Sequence, residues 1–244
     1  MSGEPTAVRE LGELITGAEA ESLAARLGGG QPLAMALAQL DNQRSHRIRM
    51  LLERAALLDD RATLVQVLQG IAGARAGPTS ITPVWTTPAH LAQHGQLTAS
   101  IHHYIEHARE SVVCSTFNFQ RSSALWSALT AAAERPEVAV RVYVDAAAAD
   151  ENPAPWKPTT QEVAQQLRAA RVFRTRQFHG SPVRNHAKFV AIDHQFLVVT
   201  SANFSKSAEQ VNVELGLVVA DQRLAQGVER QMIDLEAHIF ERIE

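Results

Sequence analysis

His186, Lys188, Asp193, Ser201, Asn203 and Glu214 carry the most chemistry in this chain. Their spacing reads H-x-K-x4-D-x6-T-S-x-N, with the glutamate eleven residues after the asparagine. Together these side chains could transfer a phosphoryl group without a metal ion. A histidine can attack phosphorus. A lysine and an asparagine can hold its oxygens, and a carboxylate can orient an imidazole.

The elements that must position these groups are readable in outline. Side chains two apart on a strand share a face, so His186 and Lys188 point one way, as do Ser201 and Asn203. Strands predicted over 186–192 and 195–201 flank Ile192-Asp193-His194-Gln195, which reads as a tight hairpin. A two-residue loop at Asp193-His194 would put His186 opposite Ser201. Asp193 then has the opposite parity and would hold the turn or a neighbouring cation. In the next strand, over 211–219, Val211, Val213, Leu215 and Leu217 form the apolar face, and Asn212 and Glu214 lie on the other. That projects Glu214 away from the core, free to hold an imidazole nitrogen. Asn203 runs into Phe204-Ser205-Lys206, a helix start whose free N–H groups favour an anion.

Charge for a polyanion would have to be local, because the net charge is -3. From Ala164 to Ile192 there is no acidic residue, whereas Arg168, Arg171, Arg174, Arg176, Arg184 and Lys188 all fall there. Arg171, Arg174, Arg176 and Arg184 are therefore candidate substrate-binding residues, although a solvated strand edge has the same composition. Phe117 follows a strand at a sheet end, where ligands tend to bind, and joins them as a pocket-lining candidate. Trp156, beside prolines, suits either stacking on a base or packing in its own loop. His179 and His194 flank the main motif and are weighed as reaching the phosphate path, against an incidental placement. His103-Tyr104-Ile105-Glu106-His107 matches a zinc-hydrolase string, but the string is short and lacks an evident third ligand, so helix-surface residues are the preferred reading.

Two regions differ in their patterning. Residues 8–73 are rich in Ala, Leu, Arg and Gln at helical spacing. Thr16 and Glu19 form a capping-box pair, Pro32 suits a second helix start, and Ser45 and Asp59 or Asp60 suit a third and a fourth. Gly73, Gly77 and Pro78 mark a linker. From Ile81 strands alternate with helices: strands over 82–86, 111–116, 137–145 and 171–174 besides those above, and helices over 96–110, 122–134, 159–170 and 221–242. Asn152-Pro153-Ala154-Pro155 reads as a loop. This grammar predicts an α/β fold, a mixed sheet flanked by helices over 82–244, preceded by an all-α region over 1–78.

The complete pattern, with Thr200-Ser201-x-Asn203 and the later Asn212-x-Glu214, resembles the signature of the phospholipase D superfamily. Thr200 stands where that signature usually has glycine. The resemblance covers 82–244, about the length of single-motif, nuclease-like members. It implies that the imidazole of His186 forms a phosphohistidine and that a second histidine protonates the leaving oxygen and then activates water. It implies roles for Lys188 and Asn203 on the phosphoryl oxygens, for Ser201 as a hydrogen-bonding group and for Glu214 in orienting a histidine, with no metal or other cofactor. A chain with one motif further implies a homodimer, formed through the catalytic domain, with a composite site. The helical N-terminal region, then Val84-Trp85-Thr86-Thr87-Pro88 and one motif, is similar to the phospholipase D-like subunit of DISARM anti-phage systems. That layout implies defence-system partners for residues 1–80.

The sequence therefore predicts a phosphodiesterase acting on nucleic acid, DNA before RNA. The alternatives are a phospholipid phosphodiesterase or transferase, and a nucleic-acid-binding scaffold subunit with little turnover. Nothing resembles an aromatic- and lysine-rich membrane helix, and no apolar stretch is long enough to span a bilayer. Met1-Ser2-Gly3-Glu4-Pro5 lacks the features of a signal peptide, so a cytoplasmic protein is expected. Cys114, the one cysteine, sits in an apolar run and reads as a buried, inert thiol.

Overall fold

The structure, a computed structural model, describes residues 4–75, 79–88, 96–151 and 154–244. Gly77 and Pro78 of the predicted linker and Asn152-Pro153 of the predicted loop lie outside the described residues. The chain divides into two compact units, Met1–Pro78 and Thr79–Glu244.

The first unit is helical: α1 (Pro5–Leu14), α2 (Gly17–Gly28), α3 (Leu33–Leu37), α4 (Asn42–Arg54) and α5 (Arg61–Ala74). The Thr16–Glu19 capping box forms, and Asp60 caps α5. Ser45 does not cap α4. Asp41 does so four residues earlier, and the Ser45 hydroxyl donates to the Leu37 carbonyl instead. The extra helix α1 begins at a proline, which suits a first turn because its missing N–H has no partner there anyway. Leu11, Ile15, Leu23, Leu27, Ile48, Leu52, Leu64 and Leu68 fill the core of this unit. At its edge the buried Arg44 guanidinium holds Glu19 at 2.8 Å and also donates to the Leu14 carbonyl.

The second unit is a mixed eight-stranded sheet with helices on both faces. Its elements are β1 (Ser80–Thr86), α6 (Leu97–Glu106), β2 (Ser111–Thr116), α7 (Ala124–Ala133), β3 (Ala139–Val144), α8 (Ala146–Asp150), α9 (Thr160–Gln166) and β4 (Arg171–Thr175). There follow a small hairpin of β5 (Gln177–Phe178) and β6 (Ser181–Pro182), then β7 (Phe189–Ile192), β8 (Phe196–Thr200), α10 (Lys206–Gln210), β9 (Glu214–Ala220), α11 (Gln222–Glu236) and β10 (Phe240–Arg242). The sheet order is β1-β9-β8-β7-β2-β3-β4-β10. β2, β3 and β4 run parallel, and the other neighbours are antiparallel.

Every residue of β2 is buried, because both of its faces are covered. Val112 and Cys114 pack with Ile101, Ile105, Leu125 and Leu129 from α6 and α7. Val113 turns the other way, with Tyr143, Ala191, Leu197 and Met232 of α11. Burial pushes the Cys114 thiol pKa up, as for an inert thiol.

The predicted helix over 221–242 ends early. After Glu236 the chain turns back as β10 and pairs antiparallel with β4. Phe240 then packs on Tyr143, ring centroids 5.1 Å apart, which buries more apolar surface than another helical turn at the sheet edge would.

The predicted apolar face of β9 is reversed. Gly216 and Val218 face the core beneath α6, with Glu214 on their side, whereas Val211, Val213, Leu215 and Leu217 are exposed. Gly216 decides this. A Cβ there would fall 2.4 Å from Leu97 Cδ1 and 3.2 Å from Val84 Cγ2, so the glycine lets α6 pack this close without moving either side chain. On the other face the core around α11 takes in Leu197 and Val219 and leaves Leu215 and Leu217 outside.

Candidate active site

The motif sits where the carboxyl end of β2 meets the start of β7 and the end of β8. The strand predicted over 186–192 pairs only from Phe189 onward. Residues 185–187 leave the ladder, with side chains taking up their backbone groups. Asp145, fully buried at the end of β3, accepts from the Asn185 N–H at 2.6 Å and from the Arg184 Nε at 3.2 Å. The Ser115 hydroxyl lies between the Asn185 side chain and the Ala187 carbonyl, at 3.2 and 3.0 Å. Asn185 Nδ2 reaches back to Ser115 at 2.9 Å and to the Tyr143 carbonyl at 3.3 Å. The residues on either side of His186 are thus both tied to β2.

The His186 ring, exposed, lies against Phe117 with centroids 4.1 Å apart. On Phe117 also rests the Arg184 guanidinium, 5.3 Å from the ring centroid. Lys188 Nζ donates to the His186 carbonyl at 3.0 Å.

The hairpin register differs from the predicted one. β7 and β8 pair Phe189 with Val199 and Ile192 with Phe196, so the connection holds three residues, Asp193, His194 and Gln195. Gln195 is the added residue, and its carbonyl is taken by the Asp221 N–H at 3.1 Å. As a result Lys188, not His186, has a partner on this side: its carbonyl accepts from the Thr200 N–H at 3.1 Å, and Ser201 bonds to β9 instead, donating its N–H to Leu215. A one-residue shift moves every partner to the other parity.

Ser201 and Glu214 nevertheless meet. The Ser201 hydroxyl donates to one carboxylate oxygen of Glu214, and Asn212 Nδ2 donates to the other at 2.9 Å. Within one chain, then, Glu214 is held by Ser201 and Asn212, and the imidazole of His186 is held by Phe117. Asn203 is half-buried, and its Oδ1 has no hydrogen-bond partner among the described residues. Nearby, the Phe204 N–H donates to Thr116 Oγ1 at 3.2 Å, and Gln120 N–H to the Phe204 carbonyl at 2.8 Å. These bonds bring the loop after β2 beside Asn203. Asn118 in that loop likewise has a buried Oδ1 without a partner among the described residues. Buried amide oxygens are usually paired, so these two lie where a hydrogen-bond donor would fit.

Several predicted placements are overturned. The N–H groups at the start of α10 are not free for an anion: Ala208 N–H bonds to the Ser205 hydroxyl and Lys206 N–H to Gln120. Arg171 begins β4 beside Arg141, at the end of the sheet remote from His186. Arg174 pairs with Glu241 at 2.6 Å, and Arg176 donates to the Ala237 and His238 carbonyls, closing the last turn of α11. Of the four arginines only Arg184 borders the site. Arg174, Arg176 and Arg184 of the acid-free run thus meet acidic groups or carbonyls from distant segments.

Asp193 stands at the other end of β7, roughly 20 Å along the chain direction from His186. Its carboxylate accepts from the backbone N–H groups of Arg109, Glu110 and Ser111 at 2.8–3.0 Å, and so holds the turn to β2. His194 pairs with Glu229 at that same end, and His179 lies at the tip of the β5–β6 hairpin. Just after α6 the His107 Nδ1 is occupied by the His103 carbonyl at 2.8 Å. Asp145, Ser115 and Asn185 were not legible as site residues. The one sequence signal was the adjacency of Asn185 to His186.

This geometry defines a phospholipase D-type fold. Residues 101–235, more than half of the chain, match the family described as cardiolipin synthase, PLD-like domain, and the chain belongs to that phospholipase D-like family. Among solved structures it is similar to Nuc, a phospholipase D family member from Salmonella typhimurium, with TM-score 0.54 and 18% identity over 68% of this chain and 99% of that one. NucT from Helicobacter pylori matches with TM-score 0.52 and 18% identity over 66% and 98%. Phosphatidylserine synthase from Haemophilus influenzae Rd KW20 matches with TM-score 0.53 and 16% identity over 77% of this chain and 49% of the synthase. At these identities the likeness is one of fold. No curated protein matches.

Asp193→Ala removes an acceptor for three N–H groups and leaves alanine at φ +51°. It should lower stability by about 2–3 kcal/mol, read as a shifted urea midpoint. An unchanged midpoint would refute the structural role.

Proposed function

We propose that this protein is a phosphodiesterase that cleaves nucleic acid, DNA in the first instance, through a covalent phosphohistidine. The observation that carries the reading is the presentation of His186. Its backbone is clamped on both sides, its ring rests tilted on Phe117, and its imidazole is left open to solvent. An imidazole nitrogen of His186 attacks phosphorus. Lys188 Nζ and the Nδ2–H of Asn203 donate to the equatorial oxygens, and Ser201 with Glu214 borders the site. The P–O bond to the leaving group breaks as that oxygen takes a proton from a second imidazole. The second imidazole then removes a proton from water, which attacks the phosphohistidine and frees His186. Fixed cations and amides take the role a metal would otherwise fill, so cleavage should survive EDTA.

The second imidazole belongs to a second copy of the chain. Val199, Val213, Leu215 and Leu217 are each at least 38% exposed, and Val199 pairs with Leu217 across β8 and β9. This apolar stripe flanks Ser201 and Glu214. Burying it against its symmetry mate would bring two motifs together on a twofold axis. Leu215→Glu should then convert a dimer to a monomer in sedimentation and remove turnover with it. A dimer that persists in that variant, or an active monomer, would refute the composite site.

The substitution His186→Ala should reduce hydrolysis of bis(p-nitrophenyl) phosphate and of DNA by roughly a thousandfold or more. Activity retained in that variant, or lost in EDTA, would exclude the mechanism. The family description and the phosphatidylserine synthase likeness favour, as a second reading, a phospholipid diester as substrate. Assays on phosphatidylglycerol vesicles beside DNA separate the two.

The similarity of the N-terminal layout to a DISARM subunit supports a place in phage defence, with residues 1–80 docking a partner. The scaffold alternative requires the same partner without turnover. Plaque counts on cells carrying the protein should rise with His186→Ala if cleavage is what protects, and stay level if it is not.

A further inference from the structure

Three loops leave the carboxyl ends of the adjacent parallel strands β2, β3 and β4, and each carries one aromatic side chain that folding does not bury. Phe117 follows β2 and is half-buried. Trp156 lies between β3 and β4 and is 62% exposed, and Phe178 follows β4 and is 43% exposed. Among the described residues Trp156 and Phe178 are the two exposed aromatic side chains. Neither is needed by a core, and both belong to the end of the sheet that holds His186.

Each ring sits on a tethered segment or against a neighbouring ring. Phe117 lies against His186 and beneath Arg184. The Trp156 turn is closed by Lys157 N–H on the Ala154 carbonyl at 2.8 Å. Arg121, itself paired with Glu162 at 2.6 Å, grips the Pro155 carbonyl at 3.1 Å. Phe178 sits in the β5–β6 hairpin, which turns through His179 and Gly180 at positive φ, and packs on the His179 ring at 4.1 Å. Lys157 and Phe117 line one pocket, with Asn118, Phe119 and Val144, so the Trp156 loop abuts the loop that supports His186.

A solvent-facing ring on a tethered loop is a platform for a flat partner. We propose that this edge of the sheet binds one unpaired strand of nucleic acid, with bases stacked on Trp156 and Phe178 while the phosphodiester reaches His186. The proposal rests on the nuclease reading and adds strandedness to it. Duplex bases present only their edges in the grooves, so their faces are available to a ring only when unpaired. A base–aromatic stack tolerates any sequence.

The full-length His186→Ala protein, which binds without cleaving, allows the test. Its indole emission should be quenched by an oligothymidylate of about fifteen nucleotides and not by a blunt duplex of equal length. Adding Trp156→Ala should remove most of that quench and weaken binding about tenfold, Trp156→Phe should restore the affinity, and Phe178→Ala should weaken it further. Equal quenching by duplex, or undiminished affinity in the Trp156→Ala protein, would overturn the proposal. So would an emission shift produced by phosphatidylglycerol vesicles and not by the oligonucleotide. Hydrolysis of bis(p-nitrophenyl) phosphate by the parent protein is read separately. Its failure counts against the phosphodiesterase reading, whereas failure of the quench counts against the aromatic row.

Discussion

The buried carboxylate of Asp145 is the constraint on which the site depends. It ends β3, caps α8 through the Ala148 N–H at 2.6 Å, and receives the Asn185 N–H at 2.6 Å. A charged group with no solvent exposure must be fully bonded, because an unpaired buried charge costs far more than one hydrogen bond returns. Asp145 therefore fixes where residues 184 and 185 cross the end of the sheet. Ser115 repeats the device from β2, holding Asn185 and Ala187. With both flanks fixed, the His186 ring has little freedom beyond its own side-chain torsions. A nucleophile benefits from that restriction, since orientation lost to mobility must be recovered in the transition state.

The sheet delivers the site from two sides. Parallel strands β2, β3 and β4 bring their carboxyl ends to one edge and place there the loops that carry Phe117, Trp156 and Phe178. The antiparallel run β7-β8-β9 brings Lys188, Ser201, Asn203 and Glu214 to the same edge. The two sets share β2 and β7, which pair through Ser115 and Phe189. Mixed pairing is thus what lets a local sequence motif face loops drawn from elsewhere in the chain. The same arrangement leaves the far end to structural work, with Asp193 tying the β7–β8 hairpin to the start of β2.

Electrostatics at the edge follow from partners, not from composition. Arg174 and Arg176 look like a basic strip beside Arg184, yet one meets Glu241 and the other meets helix-end carbonyls. Of the basic groups in that run, Arg184 rests on Phe117 and Lys188 lies on the His186 carbonyl.

Sequence alone determined the features that depend on near neighbours. Thr16 with Glu19, Asp60 with Thr63, and the alternation of strands and helices after residue 80 are set by contacts a few residues apart, and periodicity reports them. The residue types of the motif were legible for the same reason. Tertiary structure decided what depends on distant segments. One added residue, Gln195, anchored by Asp221, changed every partner of β8. A glycine under α6 chose which face of β9 is core. Phe240 found Tyr143 and made a strand where the pattern suggested a helix. Pairing energy is collected between segments far apart in the chain, and local propensity of a few tenths of a kcal/mol per residue cannot oppose it.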